Sequence, residues 1–137
     1  MPRSEPVVIA VDTNVVVRLL VEDDKMQAAR ARKLFERETV WLPKTVVLET
    51  EWVLRGLYDL DRKKAADALL AVIALPNVQC EDEGAVTDAL GWTIKGVDFA
   101  DALHLASARS AERFVSFDRR LAKRARAASV ALPVGPP

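Results

Sequence analysis

The chain has little of what most often announces chemistry. It carries one cysteine, Cys80, and one histidine, His104, in 137 residues. A lone cysteine excludes an intramolecular disulfide and leaves no cysteine metal cluster, a pattern that suits a reducing compartment. One Cys and one His together argue against zinc, and His104 is expected to pack on or near its own helix. Net charge is also missing: 20 Lys and Arg balance 20 Asp and Glu. No global field draws the protein to nucleic acid or membrane, so any such partner must be held by a local patch. Long apolar runs are absent. The longest, Ala68 to Leu75, spans 8 residues, far below the roughly 20 of a membrane helix. Only the short run Val7 to Val11 precedes Asp12, too little for a signal peptide. A soluble, cytoplasmic protein with no membrane partner is expected.

What is present is an ordinary core composition, 50% hydrophobic. This length predicts a single domain over residues 1–137, with "LPVGPP" at 132–137 as a flexible tail. "VVIAV" (Val7 to Val11) is a continuous, β-branched run, as in a strand buried on both faces. "VWL" (Val40 to Leu42) and "RFVSF" (Arg113 to Phe117) are shorter strands, and "NVQC" (Asn77 to Cys80) and "VAL" (Val130 to Leu132) weaker ones. Helical segments separate them. They include Lys25 to Glu38, Lys44 to Leu60 behind Pro43, and a stretch capped by Asp61 that stops before Pro76. The last two are "DEGAVTDALGWTIK" and "DFADALHLASARSAE". Strands alternating with helices predict an α/β fold with a largely parallel sheet. In such sheets sites form beyond the carboxyl ends of strands.

Two carboxylates follow strands there: Asp12 after "VVIAV" and Asp118 after "FVSF". Each could cap the next helix. Thr13 or Asn14 could take that role for Asp12, and Ser116 could for Asp118, freeing the acids to face a cleft. Glu49 and Glu51 form a contrast. Glu51 has Arg55 at i+4, the favourable order for a surface ion pair, whereas Glu49 has no basic neighbour on its helix. Asp98 and Asp101, at i and i+3, share the first turn of one helix, where Asp98 is either an N-cap or part of the site. Four or five converging carboxylates repel. One pair about 4 Å apart costs roughly 4 kcal/mol at an effective dielectric near 20. If they converge, a hard divalent cation, Mg²⁺ or Mn²⁺, is the natural reason. Behind Asp118 come five basic residues within eight: Arg119, Arg120, Lys123, Arg124 and Arg126. They form either a solvated face or a phosphate-binding one.

The segments "VDTNVVVRLLVEDD", "LPKTVVLETEWVLRGLY", "VDFADALHLASAR" and "FVSFDRRLAKRA" resemble, in order and over nearly the whole chain, PIN-domain ribonucleases, and among them the VapC-type toxins of toxin–antitoxin pairs. The resemblance implies a three-layer α/β/α fold with a parallel sheet of about five strands, usually dimeric. It implies a metal-dependent endoribonuclease silenced by a cognate antitoxin. Carried over by motif, its acidic set falls on Asp12, Glu49, Asp101 and Asp118, with Asp98 ranked last because it is acidic in many relatives but not all. Ser116 stands where the family often has a small hydroxyl residue. On this reading Arg119, Arg120, Lys123 and Arg124 hold RNA phosphates, which position the strand without specifying sequence.

Other readings compete. A PIN-like nuclease could serve RNA processing or DNA cleavage. A Mg²⁺-dependent phosphoryl-transfer protein also has acidic strand ends, but the phosphatase type wants a second Asp where Asn14 stands, and no late-strand Lys marks a receiver domain. An interaction module whose acids only cap helices would bind no metal.

Overall fold

The computed structural model describes residues 7–137; the first six residues of the expected single domain lie outside them. Strand β1 (Val8–Ala10) leads into α1 (Thr13–Leu20) and α2 (Lys25–Arg37). Strand β2 (Thr39–Leu42) follows, then α3 (Lys44–Gly56), α4 (Arg62–Ile73) and β3 (Val78–Cys80). The chain closes with α5 (Glu83–Ile94), α6 (Phe99–Ser107), β4 (Phe114–Val115), α7 (Arg119–Ala127) and β5 (Val134–Gly135). All strand pairs are parallel, as an alternating α/β pattern requires.

Among the described residues the five strands form two sheets, not one: a three-stranded sheet in the order β1-β2-β3 and a separate pair, β4 with β5. Strand β2 is central in the first. Its Val40 and Leu42 are fully buried while Trp41 between them is exposed, the period-2 signature of a pleated strand. Strand β1 departs from expectation. A run buried on both faces would sit inside a sheet, but β1 lies at the edge, with Val8 exposed and Ile9 half-buried. The apolar character was legible and the position in the sheet was not.

The expected flexible tail instead supplies β5, while Val130 to Leu132, read as a weak strand, forms none. The β4 backbone binds it on both sides. Phe114 N donates to the Pro133 carbonyl (2.8 Å) and Ser116 N to that of Gly135 (2.9 Å). Proline lacks a donor but keeps its carbonyl, so a Pro-rich stretch can still accept strand bonds.

Helix starts follow the cap chemistry of the sequence. Asp24 and Asp61 accept from Gln27 N (3.0 Å) and Lys64 N (2.8 Å). Helix α3 ends at Gly56, earlier than the expected Leu60, and a left-handed Asp59 (φ 54°) turns the chain into α4. Its inner stripe is Val47, Thr50, Glu51 and Leu54, spaced i, i+3, i+4, i+7. Phe99 opens α6 between Asp98 and Asp101 and is the largest fully buried side chain. It anchors the segment that carries both acids. Phe99→Ala is expected to cost about 3–5 kcal/mol in urea denaturation. A loss below about 1 kcal/mol would show that the site packs loosely.

Candidate active site

Asp12 is itself the cap of α1. Its Oδ1 accepts from Val15 N (3.2 Å), so neither Thr13 nor Asn14 relieves it. The exposed carboxylate nevertheless keeps Oδ2 without a partner among the described residues. Thr13 turns inward, is buried, and donates its hydroxyl to Glu49 Oε1. That bond links the start of α1 to the middle of α3. Asp118 caps α7, with Oδ1 accepting from Arg120 N (2.9 Å) and Leu121 N (3.1 Å). Ser116 is not its competitor but its support: the Ser116 hydroxyl accepts from Asp118 N (3.0 Å). Because Ser116 N is held by Gly135, the carboxyl-terminal strand positions the last acid.

Asp101 lies half-buried on the first turn of α6. Burial, and then the like charges of Asp98 and Asp118, push its carboxyl up, with exposed His104 acting against them. Asp98, Asp101 and Asp118 therefore share one electrostatic neighbourhood. Among the described residues, Asp12, Glu49, Asp101 and Asp118 have no basic ion-pair partner. Three of them are oriented by neutral donors alone, which fix a carboxylate without cancelling its charge.

Asp98 is different. It occupies the N-cap position of α6 but makes no cap hydrogen bond. Its Oδ1 faces two guanidinium groups, Arg55 Nη2 at 3.5 Å and Arg62 Nη2 at 3.9 Å. The expected surface pair of Glu51 and Arg55 forms, at 2.6 Å, but Glu51 is only 2% exposed. Glu49 is the exposed one of the two. The inner stripe of α3 explains the reversal: Glu51 lies on it and Glu49 does not. The sequence could not show this, because α3 also places apolar Trp52 outside, at 64% exposure.

The donor set is oxygen only, which suits a hard divalent cation. Cys80 adds nothing to it: burial, with Glu83, Glu81 and Asp82, pushes its thiol to about 11, so it stays protonated at neutral pH. Among the described residues no three acid, His or Cys side chains close on a common point as a ready-made cage. The fit is therefore one of donor chemistry and free charge, not of a closed coordination shell.

Basic residues lie behind Asp118 on α7 and beside Asp12. Arg119, Arg120, Lys123, Arg124 and Arg126 are all exposed on α7, opposite the buried Leu121 and Ala125, and none is ion-paired among the described residues. Asp12 and Asn14 border a cavity of about 460 Å³ between α1 and α2, lined also by Arg18, Gln27 and Arg30. Arg18 is held by Gln27 (2.7 Å), Asp23 (3.1 Å) and Tyr58 (3.3 Å). Sequence reasoning missed Arg18, Arg30, Arg55 and Arg62 as neighbours of the site. Only Arg55 left a local signal, its i+4 spacing from Glu51.

Parallel strands with open, unneutralised carboxylates beyond their carboxyl ends define an α/β domain of the kind suited to phosphodiester chemistry. The PIN domain family matches residues 9–127, and the chain belongs to that family. PIN domains are in general metal-dependent nucleases, which makes a nuclease, and so a hydrolase, the coarse functional class. No curated protein matches the chain. No helix among the described residues is long and apolar enough to cross a membrane.

The raised Asp101 carboxyl carries a sign. A folded pKa above the unfolded one contributes stability that is complete below the unfolded value and is lost as pH rises through the folded one. Asp101→Asn is therefore expected to stabilise the metal-free protein at pH 7 and to do so much less at pH 4. Denaturation in EDTA at both values measures this. A variant less stable than the parent at pH 7 would contradict the repulsion described here.

Proposed function

We propose that the protein is a metal-dependent endoribonuclease and the VapC-type toxin of a toxin–antitoxin pair. One observation carries the reading: in a PIN-family chain, four acids have no basic partner among the described residues, and neutral donors or packing hold them in place. Asp12, Glu49, Asp101 and Asp118 would hold Mg²⁺ or Mn²⁺. The bound ion supplies a water of lowered pKa and relief of the charge that develops at phosphorus. Thr13 holds Glu49 in place, and Ser116 with β5 holds Asp118. The α7 cations hold RNA phosphates that the carboxylates alone would repel. The protein works in the cytoplasm as a homodimer, silenced by an antitoxin that places Arg or Lys against the acids. An antitoxin complex bound only on a face remote from them would sink direct blocking.

Glu49→Gln removes charge at almost no cost in volume. It is expected to weaken Mn²⁺ binding by about tenfold or more and to abolish cleavage of single-stranded RNA, while the circular dichroism spectrum and Tm stay near those of the parent. Parent-like cleavage by this variant would exclude Glu49 from the site.

The phosphate role of α7 has its own measurement. Salt weakens single-strand binding with a log–log slope of about −0.7 per phosphate neutralised. Replacing Lys123 and Arg124 by Ala should flatten that slope by roughly 1 to 1.5. Fluorescence anisotropy in Ca²⁺, across a salt series, reads this out. An unchanged slope would make α7 a solvated face only.

A further inference from the structure

Among the described residues, Glu51 is the one buried side chain of the Asp, Glu, Lys and Arg types. A carboxylate in a core is costly unless it is paired and hydrogen-bonded. Its partner is the Arg55 Nε at 2.6 Å, one helical turn along α3. This leaves the far side of the planar guanidinium free, and Nη2 reaches Asp98 Oδ1 at 3.5 Å. One rigid fork thus joins a buried acid of α3 to the acid before α6.

The segment carrying Asp98 is held at several points. Gly96 turns the chain with φ +110°, a conformation glycine tolerates. The Gly96 carbonyl accepts from Arg62 Nη1 (3.3 Å), and the Val97 carbonyl from the buried Thr93 hydroxyl (2.7 Å). Arg62 Nη2 then approaches Asp98 at 3.9 Å. Two arginines, from α3 and α4, thereby converge on one carboxylate three residues before Asp101. Unlike Asp12, Glu49, Asp101 and Asp118, Asp98 faces guanidinium groups at ion-pair distance.

We infer that Arg55, locked by Glu51 and seconded by Arg62, is a positioning residue that holds Asp98 out of the cation-binding set. This rests on the cation-binding reading above. Asp98 sits close enough to influence Asp101. Released, it would turn its charge toward a bound cation and alter the charge and geometry of the set. Held, it ties the start of α6 to α3 and α4, so that Asp101 leaves that turn at a fixed place. The chain thus distinguishes two acids on one helical turn by what lies behind each: guanidinium groups behind Asp98, none behind Asp101.

The test is a mutant cycle read by Mn²⁺ calorimetry. In the parent, Asp98→Asn is expected to change Mn²⁺ affinity by less than about twofold, whereas Asp12→Asn loses about tenfold or more. The same Asp98→Asn change is then made in two backgrounds. Glu51→Gln/Arg55→Gln removes the fork without stranding a buried carboxylate, and there Asp98→Asn should cost about fivefold or more. Arg62→Gln leaves the buried pair intact, and there the cost should be about two- to threefold. That background decides the matter if the other fails to fold. A parent affinity that falls with Asp98→Asn as steeply as with Asp12→Asn makes Asp98 a ligand and overturns the inference. An equal, small effect in every folded background overturns it too, since the arginines would then restrain nothing. A parent that binds no Mn²⁺ overturns both the site and this inference. Binding without RNA cleavage overturns only the proposed reaction.

Discussion

Like-charge repulsion is the constraint on which this site depends. Asp12 and Asp118 follow strands, Glu49 and Asp101 lie on helices, and each is held with no basic ion-pair partner among the described residues. The chain solves this with uncharged donors. Backbone N–H groups at the starts of α1 and α7 aim Asp12 and Asp118, and the Thr13 hydroxyl aims Glu49. Each contact occupies one oxygen and leaves the other. A lysine or arginine in the same place would hold the acid more strongly and remove the charge a cation needs.

The rest of the fold supplies rigidity for these aims. Thr13 can reach Glu49 only because α1 packs on α3. Asp118 is placed through Ser116 by β5, so the last residues of the chain act on the site from outside it. Full ion pairs are kept for the frame: Lys44 with Asp82 (2.8 Å) at the start of α3, and Glu51 with Arg55 and Asp98 between α3 and α6.

Cap and strand-end positions were legible in the sequence because they are local. An Asp after a β-branched run and before a helical period is placed by its neighbours alone, and Asp12 and Asp118 stand where that logic puts them. Its error lay in offering the caps to Thr13, Asn14 or Ser116, since Asp12 and Asp118 accept from the first-turn N–H groups themselves. The short run Val40 to Leu42 stands in β2 and the stretch behind Asp61 in α4, whose buried Ala65, Ala66, Leu69, Val72 and Ile73 follow helical spacing.

By itself, then, the sequence determined the α/β class, the helix starts, the acids at the strand ends and the exposed basic helix α7. Tertiary structure alone decided the matters that depend on distant partners. It set β1 at a sheet edge and recruited 134–135 as a strand, because pairing is a contact between segments far apart in the chain. It buried Glu51 and exposed Glu49, because helical spacing defines a face but not which face meets the core when apolar residues lie on both. And it turned Asp98 toward Arg55 and Arg62, because those guanidinium groups come from helices 43 and 36 residues earlier in the chain, and only folding brings them to one carboxylate.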